Sequence, residues 1–130
     1  MDTNDTKNTK IIYPELSYKL CGLFYKVHNK LGRFCKEKTY GDALEVEIKE
    51  NNISFKRENK SPINYNEKQI GYGKYDFLVE NKIVIEIKAR PFITKQDYYQ
   101  ILRYLKSENI KLGLLVNFRN KYIKPKRIAN

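Results

Sequence analysis

The chain has 130 residues, 41% of them hydrophobic and 13% aromatic, enough for one apolar core and consistent with one domain. Its 26 Lys and Arg against 15 Asp and Glu leave a formal charge of +11. Either that excess serves a polyanionic partner, with nucleic acid ahead of an anionic membrane surface, or it reflects only a composition rich in Lys, Asn and Ile. No apolar run approaches membrane-spanning length, the polar start MDTNDTKNTK does not read as a signal peptide, and Cys21 and Cys35 form no CxxC, which argues against zinc and for free thiols in a reducing cytoplasm.

In chain order, residues 1–12 read as a flexible lead and residues 13–130 as a single domain. Pro14 and Glu15 suit a first helical turn. Leu16, Leu20, Leu23, Phe24, Val27 and Leu31 recur at helical spacing until Gly32, which predicts a helix over 14–30. His28, near its end, reads as a packing or capping residue. A second helix is expected over 36–51, with Tyr40, Ala43, Leu44 and Ile48 on one face and Gly41 as a weak point. Residues 53–56 alternate as a strand. Residues 62–65 form a short edge-like strand because of Pro62, residues 66–68 a turn, and residues 70–72 a lead into the next hairpin.

That hairpin, GKYDFLVENKIVIEIKAR over residues 73–90, has an unusual charge pattern. Ile83, Ile85 and Ile87 define one face of its second strand, which puts Glu86 and Lys88 on the other. Asp76 stands near the start of the first strand. Asp76 and Glu86 share a face only if the connection is three residues long, Glu80, Asn81 and Lys82; a two-residue turn would set Asp76 opposite Ile85. Beyond Pro91, Thr94 is a candidate N-cap for a helix over 95–108, with Tyr98, Ile101, Leu102 and Leu105 on its apolar side and Gln100 and Tyr104 sharing another. Residues 111–118 form a continuous apolar run typical of a strand buried on both faces, and residues 122–128 a final basic strand or tail. The order α-α-β-β-β-β-α-β-β implies an α/β architecture with a mixed sheet.

Phosphodiester hydrolysis needs an activated water, neutralisation of charge in the transition state and help for the leaving group, and Mg²⁺ supplies much of this. Mg²⁺ takes hard oxygen ligands and keeps several waters, so one or two carboxylates suffice. Asp76 and Glu86 meet that requirement, the Ile87 carbonyl could add an oxygen, and Lys88 would stand beside the same metal to orient the water and offset negative charge. The bland alternative is a solvated sheet face.

The pattern Asp76…Glu86-Ile87-Lys88 resembles the core of the PD-(D/E)XK nuclease superfamily. The resemblance extends over most of the chain to the group named GxxExxY proteins. Its matching words are VHNKLG (residues 27–32), Glu37 and Tyr40 as ExxY, YDFLVENKIVIEIKA (75–89), QILRYLK (100–106), GLLVNF (113–118) and KRI (126–128). It implies a restriction-endonuclease-like αβββαβ core with a mixed central sheet flanked by helices. It places Asp76, Glu86 and Lys88 on catalytic positions, and Glu37 on a helix acid that completes or adjusts the metal site. Gln100 and Tyr104 fall on a Q-x-x-x-Y pattern that in recombination-type exonucleases positions DNA or the catalytic lysine. Mg²⁺, with Mn²⁺ as a substitute, a DNA substrate and the option of a homodimer are implied in the same way. Two departures stand out: Phe34 occupies the position of the GxxE glycine, and Tyr75 replaces the proline of a proline-aspartate pair. Neither touches the Asp/Glu/Lys core. The alternative function is a non-catalytic module on the same fold that binds nucleic acid or a protein.

Overall fold

The computed structural model describes residues 12–58 and 60–130; the expected lead, up to residue 11, lies outside the described residues. The chain runs α1 (Pro14–Leu31), α2 (Glu37–Glu50), β1 (Phe55–Arg57), β2 (Lys60–Tyr65), β3 (Lys68–Lys74), β4 (Phe77–Val79), β5 (Ile83–Lys88), α3 (Lys95–Glu108), β6 (Leu112–Asn117) and β7 (Lys126–Ala129). Five strands form one sheet in the order β1-β4-β5-β6-β7. Only β5 and β6 pair in parallel, with α3 as the crossover between them, so the sheet is mixed.

Both faces of this sheet are covered, which explains why β6 is buried along its whole length. Ile83, Ile85 and Ile87 pack with Leu20, Phe24, Leu44 and Ile48 of α1 and α2. Leu78, Val84 and Leu115 point the other way, against Ile101, Tyr104 and Leu105 of α3. Gly41 does not interrupt α2. A Cβ there would lie 2.6 Å from the Arg57 guanidinium, so its lack of a side chain makes room for the arginine that ties α2 to β1.

The strand order differs from expectation at one place. Residues 68–74 are a strand in their own right, paired with β2 in a separate two-stranded sheet. The order therefore carries five strands, not four, between α2 and α3. Asn66 and Glu67 turn this hairpin with φ of 49° and 65°, the left-handed pair that suits the twist of a tight hairpin. Ile63, Tyr65, Ile70 and Tyr72 remain exposed on it, so the burial alternation that marks a strand in sequence is missing. Other shifts are at element ends: β1 begins at Phe55, β4 at Phe77 and β7 at Lys126.

Candidate active site

The β4–β5 register pairs Val79 with Ile83 and Phe77 with Ile85. The connection is therefore Glu80, Asn81 and Lys82, the length that sets Asp76 opposite Glu86. Glu80 and Asn81 both take positive φ, 51° and 55°, and Lys82 N–H closes the turn on the Val79 carbonyl at 2.9 Å. Asp76 sits in the bend just before β4, and two side-chain bonds replace the ladder there. Asp76 N–H donates to Glu86 Oε1 at 2.9 Å, and Ile87 N–H donates to Asp76 Oδ2 at 2.7 Å. Each carboxylate is thus locked by the other's strand.

Lys88 Nζ lies 3.7 Å from Glu86 Oε2, the position expected one strand period further along. Glu86 is 7% exposed. Burial, and then the Asp76 carboxylate, push its carboxyl up to about 8, against the pull of Lys88. Asp76 is raised as well, first by burial; the Ile87 N–H, Lys88 and Lys74 oppose the shift, while Glu37 adds to it. A buried and a half-buried carboxylate, Glu86 and Asp76, with so little compensating positive charge retain a proton at neutral pH unless a cation joins them.

Glu37 reaches the end of β5 from α2. It is the first residue of α2, and its Oε2 accepts from Ala89 N–H at 3.2 Å. Glu37, Asp76 and Ile87 line one cleft of about 180 Å³, together with Arg57, whose charge is engaged by Asp42 and Glu45. The loop that delivers Glu37 is fixed by Tyr40: its O–H donates to the Gly32 carbonyl at 2.6 Å, and its oxygen accepts from Cys35 N–H at 3.1 Å. Gly32, with φ of 78°, provides the left-handed turn. Phe34 therefore needs no special backbone and stays exposed, its ring flanked by Arg33 and Arg119.

Gln100 and Tyr104 take a different position. Gln100 Nε2 donates to the Tyr104 oxygen at 3.0 Å, and Lys74 N–H donates to that same oxygen at 2.5 Å. Tyr104 also packs so closely on Gly73 that a Cβ there would meet its ring at 2.2 Å. The pair thus clamps the end of β3, two residues before Asp76. Lys88 pairs with Glu86 and Asp97 instead.

Asp97 is the residue that sequence reasoning missed. It is buried, 3.8 Å from Lys88 Nζ and 2.5 Å from the Arg90 guanidinium. It also completes a capping box with Thr94 at the start of α3. Burial would raise its carboxyl, but the Thr94 N–H, the Arg90 guanidinium and the Thr94 hydroxyl outweigh that and hold it low. The T-x-x-D spacing from Thr94 was the available signal. Asn117, opposite Lys88 in the β5–β6 register, braces the same corner by bonding the backbone of Arg90 through both its side-chain atoms. His28 packs on Phe118, with Nε2 2.9 Å from the Asn120 carbonyl oxygen, away from the acidic pair.

The donor set suits a hard divalent cation. Asp76 Oδ1 has no hydrogen bond among the described residues. The Ile87 carbonyl points to the same strand edge as its N–H, which meets Asp76, because the two groups of a strand residue share a side. Among the described residues no three His, Cys, Asp or Glu side chains converge as a metal cage; Glu37 lines the cleft beside Asp76 with its carboxylate held on Ala89 N–H. Two carboxylates and a carbonyl match the sparse protein ligation of Mg²⁺, which keeps waters in its remaining positions.

Comparison with known proteins bears on the family and the fold. A profile of the PD-(D/E)XK nuclease superfamily matches residues 14–128. No curated protein matches the chain. Among solved structures, the crystal structure of SSO0001 is similar, with a TM-score of 0.56 and 27% identity; the match covers 72% of this chain and 50% of that one. The chain thus spans about half the length of that structure. No described helix is long and apolar enough to cross a membrane. With the profile match covering nearly all described residues, and the mixed sheet and flanking helices of a restriction-endonuclease-like fold around the Asp76/Glu86 pair, the chain belongs to the PD-(D/E)XK nuclease superfamily.

Proposed function

We propose that the chain is a cytoplasmic, Mg²⁺-dependent deoxyribonuclease of the GxxExxY group, hydrolysing phosphodiester bonds of DNA. The observation that carries this reading is the mutually locked pair of half-buried Asp76 and buried Glu86 with Lys88 beside it. A bound Mg²⁺, or Mn²⁺ in its place, would polarise a water and neutralise charge developing on the phosphate. Asp76, Glu86 and the Ile87 carbonyl would hold it. Lys88 Nζ orients the attacking water and offsets negative charge at the scissile phosphate. Glu37, anchored on Ala89 N–H, tunes the acidic pair from across the cleft. Gln100 and Tyr104 fix the backbone that enters Asp76. The preference for DNA rests on the likeness of Gln100 and Tyr104 to the pattern of recombination-type exonucleases. A homodimer would give such a site access to both strands of a duplex.

The test is a cleavage panel of single-stranded, duplex and branched DNA, and RNA, with Mg²⁺, Mn²⁺ or chelator, run beside Lys88→Ala. The expected result is metal-dependent cleavage of DNA that Lys88→Ala lowers by about 10²–10³-fold. Binding without cleavage on every substrate, unaffected by Glu86→Ala, would replace this reading with the non-catalytic module.

A further inference from the structure

A second groove lies apart from the acidic pair, between α3 and the strands β6 and β7. It encloses about 550 Å³, within the roughly 300–1,000 Å³ typical of ligand sites. Lys95, Lys124 and Lys126 stand around it, with Tyr98 and Tyr99 on the α3 side. No Asp or Glu is among its lining residues, and none of the three lysines forms an ion pair with a carboxylate among the described residues. This differs from α2, where Lys38 pairs with Asp42 and Lys49 with Glu45. The Lys126 ammonium instead sits 5.2 Å over the Tyr98 ring, and Tyr99 is 51% exposed at the rim.

Crowding three unneutralised cations around one concavity costs electrostatic energy that an anionic ligand would relieve. The groove also shares a wall with the acidic site. Its lining includes Thr94 and Asn117. Thr94 donates to Asp97, which touches Lys88, and Asn117 pairs with Lys88 in the sheet register.

We propose that this groove binds the sugar–phosphate chain of the nucleic acid whose scissile bond lies at Asp76 and Glu86, the three lysines meeting phosphates and the tyrosines meeting sugar or base. The identity of the bound chain rests on the nuclease reading; the existence of the groove site does not. Phosphate contacts of this kind set affinity and register without reading sequence.

The test measures binding of fluorescein-labelled DNA and RNA oligonucleotides by fluorescence anisotropy in chelator, where no cleavage can occur, across a salt series. Lys124→Gln with Lys126→Gln is compared with the wild type and with Lys19→Gln plus Lys30→Gln, an equal loss of charge at exposed positions of α1. Circular dichroism confirms that each variant is folded. The expected result is about a tenfold loss of affinity near 0.1 M salt for the groove pair, with the slope of log K against log salt shallower by roughly 1–2. The α1 pair should change affinity less than about twofold. Equal losses for the two pairs would mean that only net charge matters, and would overturn the proposal. So would an unchanged groove pair, or a groove pair that keeps oligonucleotide affinity while losing co-sedimentation with phosphatidylserine vesicles. Groove-dependent binding by a protein that never cuts would leave the groove standing and remove only the nuclease reading.

Discussion

Across the start of β4 and the end of β5, half-buried Asp76 and buried Glu86 lie against each other, with Lys88 pairing with Glu86, whereas Asp97, a few ångströms beyond that lysine, is buried among Arg90, Lys88 and the cap of α3. The two regions share burial and chemistry but have opposite electrostatics. Asp97 has its charge satisfied and its carboxyl is held low; the hairpin pair is short of positive charge and both carboxyls are raised. Burial of an acid is thus not by itself a sign of function. An acid whose compensating cation is missing from the protein is the more informative case.

The largest expected effect that separates the two regions is on cleavage. Glu86→Gln should lower metal-dependent turnover by about 10²–10³-fold, while Asp97→Asn, which only bears on the orientation of Lys88, should lower it by roughly tenfold or less. Similar losses from both would erase the distinction.

The next effect is on stability as a function of pH. The folded-state carboxyl of Glu86 lies above its ordinary value, at about 8. The stability tied to its proton is therefore full below the ordinary carboxylate range and is lost as pH rises through about 8. In chelator, Glu86→Gln should be more thermostable than the wild type at pH 9, by on the order of 2–4 kcal/mol, and little different at pH 4. Metal should narrow the gap at high pH by stabilising the wild type. A thermal-shift series over that range checks both statements.

Asp97→Asn should behave in the opposite sense. Its lowered carboxyl contributes stability above the ordinary range that is lost as pH falls through its depressed value. The substitution should cost about 1–2 kcal/mol at pH 7, through the capping box and the uncompensated Arg90, with the difference shrinking in acid. Denaturant unfolding at two pH values tests it.

The smallest effect concerns the clamp beside the site. Tyr104→Phe removes the oxygen that accepts from Lys74 N–H and Gln100, and should cost about 1 kcal/mol. If Gln100 and Tyr104 act by fixing the strand that enters Asp76, the variant should lower kcat with its pH profile unchanged. A shifted profile would instead mean that Tyr104 acts on Lys88 or the acidic pair directly.

The hairpin was the most legible part of the molecule because strand parity is a local rule. Once Ile83, Ile85 and Ile87 face one way, the side of Glu86 follows, and a shared face with Asp76 then requires the three-residue loop. Helix ends were similarly readable from Pro14, Gly32 and Thr94. The β2–β3 hairpin was only half visible, since it packs little of its own surface and Ile70 and Tyr72 stay exposed. Asp97 was hidden for another reason. Its partners Lys88 and Arg90 are separated from it by the turn into α3, and only the packed structure brings a helix cap and a strand lysine together. The same holds for Gln100 and Tyr104: their spacing showed a shared helix face, but only the structure shows that face gripping Gly73 and Lys74.

The central claim is that Asp76 and Glu86 form a cation site and Asp97 does not, and Mn²⁺ binding followed by electron paramagnetic resonance at pH 7.5 tests it most directly. The wild type and Asp97→Asn should sequester Mn²⁺, with wild-type affinity rising as pH approaches 8 and the retained proton is released, while Asp76→Asn and Glu86→Gln should leave the ion free in solution. Wild-type Mn²⁺ affinity in Glu86→Gln, or its loss only in Asp97→Asn, would contradict the account.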